Sequence, residues 1–286
     1  MAKGFLKNNK ILLLNWTLNH LMEQIIEIGE YKIFTKLEGE GPALLLLHSY
    51  WGNLCLFDKL AASLSMNNKV IRIDLPGHGK SGNPPPDYTF DNFALILSEL
   101  LIRLNVLEKI SIIGHSMGGY VAMAFAAAFP QKTAVLILMH APLKSADDHS
   151  IKLRNREKNL LLRGKIELML QLTVTSNFAP ENIPKMRKEI ALLFQTADQV
   201  TLEGALSTIY ALNHRSSYFE VLQSAQYPVL IIIGKYDKVY RADEQIDDAS
   251  KIPDARVLVL DHSGHMGFME EENLVLTNLK EFLQTH

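Results

Sequence analysis

Unbroken apolar runs of strand length recur along the chain: "ALLLLH" (43–48), "KVIRID" (69–74), "ISIIG" (110–114), "AVLILM" (134–139), "VLIIIG" (229–234) and "RVLVL" (256–260). Continuity, rather than alternation with polar residues, marks strands covered on both faces. Between them, apolar residues recur at helical spacing and predict helices over about 53–66, 89–105, 117–129, 241–251 and 272–284. Strands that alternate with helices pair in parallel through right-handed crossovers, so the core is expected to be a doubly wound, mostly parallel α/β sheet. The earlier "IIEIGEYKIFTKLEG" (25–39) alternates and contains turn residues, which predicts an antiparallel hairpin at one edge of that sheet.

The rhythm breaks between residues 143 and 226. No strand-like run occurs there; "REKNLLLRGKIELMLQL" (156–172) and "PKMRKEIALLFQTA" (184–197) have helical spacing instead. A structureless loop of that length is improbable, so the segment is expected to be an inserted helical cap, bounded by Ala141-Pro142 and Tyr227-Pro228. The core then comprises residues 24–142 and 227–286. Cap residues such as Leu160–Leu162, Leu168–Leu172, Leu192–Phe194 and Ile209 could line a pocket or form the cap's own core. Lys152, Arg154, Arg156 and Lys158 suggest a phosphate patch, but Asn155 and Glu157 interrupt them and no aromatic platform accompanies them. A solvated helix face is the better reading.

Residues 1–23 form an N-terminal extension. Leu14, Leu18, Leu21, Met22 and Ile25 share one helical face, which predicts an amphipathic helix over about 11–26. Lys3, Lys7 and Lys10 precede the apolar "ILLLNWTL" in signal-peptide order, but Asn15 interrupts the run and no small-x-small cleavage site follows. No stretch approaches ~20 uninterrupted apolar residues, so no membrane span is expected.

Composition narrows the partners. A chain of 286 residues, 48% of them hydrophobic, can bury one large core with an insertion. A formal charge of −2 gives no broad attraction to nucleic acid or anionic lipid. The single cysteine, Cys55, cannot form an internal disulfide and reads as a small buried residue of a reducing, cytoplasmic protein. The ten histidines include no H-E-x-x-H pair, so no metal or other cofactor is expected, and the oligomeric state stays open.

The chemistry concentrates in "ISIIGHSMGGYVAMAFAAAF" (110–129). Ser116 occupies the centre of G-x-S-x-G, after a strand ending near Gly114 and before a helix starting near Met117. A serine at such an apex needs a strained backbone, and small residues two positions to either side let strand and helix approach each other. Gly114 and Gly118 supply them.

This corner, together with "LLLHSYWGN" (45–53), "DLPGHGKS" (74–81), "GKYDKV" (234–239) and "SGHMGFMEE" (263–271) in that chain order, resembles the α/β-hydrolase fold superfamily, in its cap-bearing branch of esterases and lactonases. The resemblance covers roughly residues 24–284. It implies the order nucleophile, acid, base, hence Ser116, then Asp237 after "VLIIIG", then His265 in "SGHMGFMEE". His262 competes for the last role but directly follows Asp261 at a strand end. The oxyanion donors would be the backbone N–H of Met117 and, by resemblance, that of Tyr50; Ser49 stands where the family usually has glycine. Trp51 and His140 are candidate substrate contacts, while "DLPGHGKS" lacks phosphate-loop spacing and is expected to be a structural turn. The implied activity is hydrolysis of a small, partly apolar acyl substrate by a serine carboxylesterase. Lactone opening, carbon–carbon bond cleavage and a ligand-sensing receptor with vestigial turnover are the alternatives on this fold.

Overall fold

In the computed structural model, which describes residues 21–85 and 88–286, the six apolar runs are strands of one sheet, five of them inner and the last, 256–260, a partly exposed edge strand. The strands are β1 (Met22–Ile28), β2 (Tyr31–Glu38), β3 (Ala43–Leu47), β4 (Lys69–Ile73), β5 (Ile110–His115), β6 (Thr133–Met139), β7 (Val229–Gly234) and β8 (Arg256–Leu260). They lie in the order β1-β2-β4-β3-β5-β6-β7-β8. The pairs β1/β2 and β2/β4 are antiparallel and the rest are parallel, giving the expected mixed sheet with an edge hairpin.

Every residue of β3 and β7 is buried, as continuous apolar runs require of strands with helices on both faces. One face packs against α2 (Phe90–Arg103) and α3 (Met117–Ala128), through residues such as Phe93, Leu97, Val121 and Phe125. The other packs against α1 (Asp58–Leu64) and the C-terminal helix (Glu272–Thr285), through Phe57, Leu60, Leu279 and Phe282.

Between β6 and β7 the chain leaves the sheet and forms five helices: α4 (Asp148–Leu162), α5 (Ile166–Thr173), α6 (Arg187–Ala197), α7 (Leu202–Asn213) and α8 (Phe219–Gln223). These are the inserted helical cap. Leu161, Met169, Leu170, Leu193 and Ile209 are buried in one cluster with the sheet's second face, whereas Leu162, Leu168 and Leu172 are exposed. The chain then runs through β7, α9 (Ala242–Ala249), β8, the short α10 (Gly267–Glu270) and α11 (Glu272–Thr285).

Three expectations change. The helix predicted over about 11–26 does not form where the structure describes it: Met22–Ile28 is strand, paired with β2 from Met22↔Leu37 to Ile28↔Tyr31. Apolar residues at 22, 25, 26 and 28 suit either period, and the adjacent strand offers ladder hydrogen bonds that a helix could not make with it. Residues 1–20 of that expectation lie outside the described residues. The helix expected over 53–66 is a 3-10 turn (Leu54–Phe57) followed by α1, and Cys55, on that turn, is partly exposed rather than buried.

Candidate active site

Strand β5 ends at His115, helix α3 begins at Met117, and Ser116 forms the whole corner between them, with φ 51° and ψ −111°. Positive φ is costly for a residue with a Cβ, so the surrounding packing must hold it. The two glycines are what allow that packing. A Cβ on Gly114 would meet the Gly118 backbone and come within 2.6 Å of the Gly119 Cα, and one on Gly118 would overlap the Leu47 carbonyl and reach 2.8 Å from that of His48. Ser116 N–H donates to the Met139 carbonyl at 2.9 Å, tying the corner to β6. As the first residue of α3, Met117 presents an N–H that has no partner within its helix.

Asp237 sits on the loop after β7 and His265 on the loop after β8. The His265 Nδ1 and Asp237 Oδ2 are 2.8 Å apart, while Asp237 Oδ1 accepts the N–H groups of Val239 (2.8 Å) and Tyr240 (3.0 Å). Burial opposes ionisation of Asp237, but the charge and hydrogen bond of His265 and the proximity of His140 outweigh it, leaving this carboxyl well below the usual carboxylate range. With Nδ1 bound to Asp237, the imidazole keeps Nε2 for another partner. The ring of His115, the neighbour of Ser116, lies 5.1 Å from that of His265, and its Nε2 bonds the His265 carbonyl at 2.8 Å. Serine, acid and histidine thus come together from three separate strand ends. Ser116 is 7% exposed and His265 4%.

His140, the candidate substrate contact, lies beside Asp237. It is fully buried, in the left-handed conformation (φ 52°), with Nδ1 3.5 Å from Asp237 Oδ2. Burial lowers its pKa, against the opposing pull of Asp237. The ligand atoms of His140, Asp237 and His265 fall within 4.8 Å of one another, close enough for a metal, but both Asp237 oxygens are already engaged. His262 points away: its side chain is exposed and faces Glu181 at 3.1 Å.

On the other side of Ser116, the Gly52 N–H returns to the Ser49 carbonyl at 3.0 Å and closes a turn over residues 49–52. The left-handed conformation falls on Trp51 (φ 62°) and not on Ser49, so serine fits at 49 without strain. "DLPGHGKS" buttresses this turn. Asp74 accepts the N–H of Leu54 (2.8 Å) and of Lys80 (2.7 Å), and His48 Nε2 accepts the N–H of Leu75 (2.8 Å). Burial and the neighbouring His78 push the His48 pKa down to about 3, so it is a neutral hydrogen-bonding strut. The segment is the structural turn its spacing suggested.

The cap closes over these loops. Tyr50 and Trp51 stack at 4.6 Å, and the Trp51 indole donates to Glu157 of α4 at 3.3 Å, while Thr196 of α6 donates to the Trp51 carbonyl at 3.0 Å. The segment between α5 and α6 grips the His265 loop: the His265 N–H donates to the Asn177 carbonyl at 2.7 Å. Glu270 accepts the N–H groups of Gly264 and Ala179, both at 2.8 Å, and the Asn182 amide at 2.9 Å. Glu270, Asn182, His115 and Tyr240 are site residues that the sequence reading missed. Glu270 and His115 left a trace, as parts of "SGHMGFMEE" and of the G-x-S-x-G corner; the others arrive through the fold.

A serine on a strained strand-to-helix corner, faced by a histidine and a buried aspartate at the carboxyl ends of a capped, mostly parallel sheet, defines a hydrolase-type α/β architecture. Residues 42–272 match the alpha/beta hydrolase fold family, and the chain belongs to it. An uncharacterized protein of Mycobacterium tuberculosis is 40% identical over 118 residues, which is 41% of this chain and 34% of that protein. The dihydrolipoyllysine-residue acetyltransferase component of an acetoin cleaving system from Pseudomonas putida is 30% identical over 88% of this chain and 66% of its own length. The chain therefore matches about a third of one curated relative and two-thirds of the other. A thermophilic esterase from Thermogutta terrifontis superposes with a TM-score of 0.85 at 23% identity, covering 93% of this chain and 98% of that one, a likeness of fold. No helix among the described residues is long and apolar enough to cross a membrane.

Proposed function

We propose that the protein is a serine hydrolase, most simply a carboxylesterase, that cleaves an ester or similar acyl bond of a small, partly apolar substrate. The observation that carries this reading is the pairing of a serine forced into positive φ with a histidine whose Nδ1 is fixed 2.8 Å from a buried carboxylate. A free serine hydroxyl is a weak nucleophile and needs a base within reach, and that base needs an orienting acid.

In the proposed sequence His265 Nε2 takes the proton of Ser116 as its Oγ attacks the substrate carbonyl, and Asp237 stabilises the imidazolium that forms. His140 is assigned as a second support for Asp237. The tetrahedral oxyanion accepts hydrogen bonds from the N–H groups of Met117 and Tyr50, backbone donors that need not reorganise. His265 then protonates the departing alcohol, leaving Ser116 acylated. Water, deprotonated by the same histidine, releases the acid. Trp51, on the turn beside Tyr50 and bonded to the cap, is assigned to the acyl pocket. We place the protein in the cytoplasm on the strength of its unpaired Cys55.

The test is hydrolysis of p-nitrophenyl esters from acetate to dodecanoate by the native protein beside Ser116→Ala. Turnover peaking at one chain length should fall by as much as ~10⁶-fold in the variant. Equal rates in both proteins would contradict the assignment.

A further inference from the structure

The basic cluster on α4 does not behave as one solvated face. Lys152, Arg156 and Lys158 are exposed, but Arg154 turns inward and is half-buried. Its Nη2 donates to the Tyr240 hydroxyl at 3.1 Å, which also accepts the hydroxyl of the fully buried Tyr120 at 3.3 Å. Tyr240 belongs to the reaction centre: its N–H bonds Asp237, and its ring lies 5.7 Å from that of His265. Arg154 is therefore one side chain away from the histidine proposed as base.

What Arg154 lacks is an acid. Buried Arg72 is paired with Glu38 and Asp58. Buried Arg215 has its donors on the carbonyls of Leu212 (2.8 Å) and Lys144 (3.3 Å) and its guanidinium over the Tyr120 ring. Among the described residues no carboxylate lies within ion-pair distance of Arg154, and a guanidinium has five N–H donors to satisfy. The nearest acid on its own face is Glu157, one turn on, whose carboxylate accepts the Trp51 indole N–H. None of the remaining donors of Arg154 is buried without a partner, so they stay open to solvent and to the anion of a substrate.

We propose that Arg154, steadied by Tyr240, is an anion subsite of the active site, and that the substrate is an acyl ester carrying a free carboxylate a few carbons from the scissile carbonyl. This rests on the serine-hydrolase reading above. A carboxylate suits the site better than a phosphate because Glu157 offsets part of the positive charge, leaving too little to hold a dianion. The planar fork of Arg154 matches a carboxylate in two-point contact.

The test compares mono-p-nitrophenyl adipate with its methyl-capped, uncharged diester. The native protein should prefer the anionic ester, and Arg154→Gln should lower the anionic-to-neutral ratio of kcat/KM by about 30-fold, the fold-change that about 2 kcal/mol from a charge-assisted hydrogen bond produces. The change should lie mainly in KM. Arg154→Lys should keep part of the preference, which separates loss of charge from misfolding, and Glu157→Gln should raise it. Calorimetry of adipic acid monoamide on Ser116→Ala protein, with and without Arg154→Gln, reads the subsite without turnover. If neither ester is cleaved yet the monoamide binds only when Arg154 is present, the subsite stands and the hydrolase reading falls. A ratio and a monoamide affinity both insensitive to Arg154→Gln would overturn the subsite, and inorganic phosphate displacing the monoamide at equal concentration would overturn its assignment to a carboxylate.

Discussion

Replacing Glu270 with alanine should strip three hydrogen bonds from the loop that carries His265. The buried N–H groups of Gly264 and Ala179 would each lose their acceptor, while the Asn182 amide would lose one of two and keep the His262 carbonyl. A buried donor left without a partner costs about 1–3 kcal/mol. Glu270 itself is half-buried, so water can enter part of the vacated space, and about 3 kcal/mol in total is expected from the lower half of that range. For a chain of this size that corresponds to a Tm lower by roughly 6–12 °C. Glu270→Gln should lose about half as much, because one oxygen can still accept from Ala179 and Asn182 while the amide faces Gly264. The loop holds the base rather than the substrate, so kcat should drop about 10- to 100-fold with little change in KM. Melting curves and steady-state kinetics on a p-nitrophenyl ester read both effects. A Glu270→Ala protein with native Tm and native kcat would refute the view that this carboxylate positions His265.

Gly118→Ala would drive a Cβ into the backbone of Leu47 and His48, and should cost about 1–3 kcal/mol while displacing the turn that holds Tyr50; a circular-dichroism melt and an ester assay check both. Asp237 makes a directional prediction with pH. Its carboxyl lies below the usual range when folded, so its contribution to stability is full above the unfolded value of about 4 and is lost as pH falls from there through the folded value. Denaturant titrations should therefore show the native protein losing stability more steeply than Asp237→Asn below about pH 4, and parallel curves would count against the ion pair.

The order of strands and helices was legible because both periods are strong in this chain: six continuous apolar runs became β3 to β8 within one residue at either end. Ser116, Asp237 and His265 were legible because each sits at a fixed offset from a strand end, where the fold leaves little choice. The first strand was not, since Met22, Ile25, Ile26 and Ile28 satisfy helix and strand alike until β2 supplies a partner. Arg154 was misread for a related reason. Local spacing placed it among solvated lysines, and its inward turn depends on Tyr240, 86 residues further along the chain. The staple at Glu270 likewise joins residues 91 apart through the cap, and no local pattern announces it.

The most direct test of the central claim is to react the native protein with a fluorophosphonate and locate the adduct by peptide mass spectrometry. Attack of an activated serine on phosphorus expels fluoride and leaves a stable phosphonate ester on the nucleophile. The predicted result is one adduct, on Ser116, absent in Ser116→Ala and formed far more slowly in His265→Ala. Labelling at another residue, or at an undiminished rate without His265, would contradict the assignment of a Ser116–His265–Asp237 hydrolase.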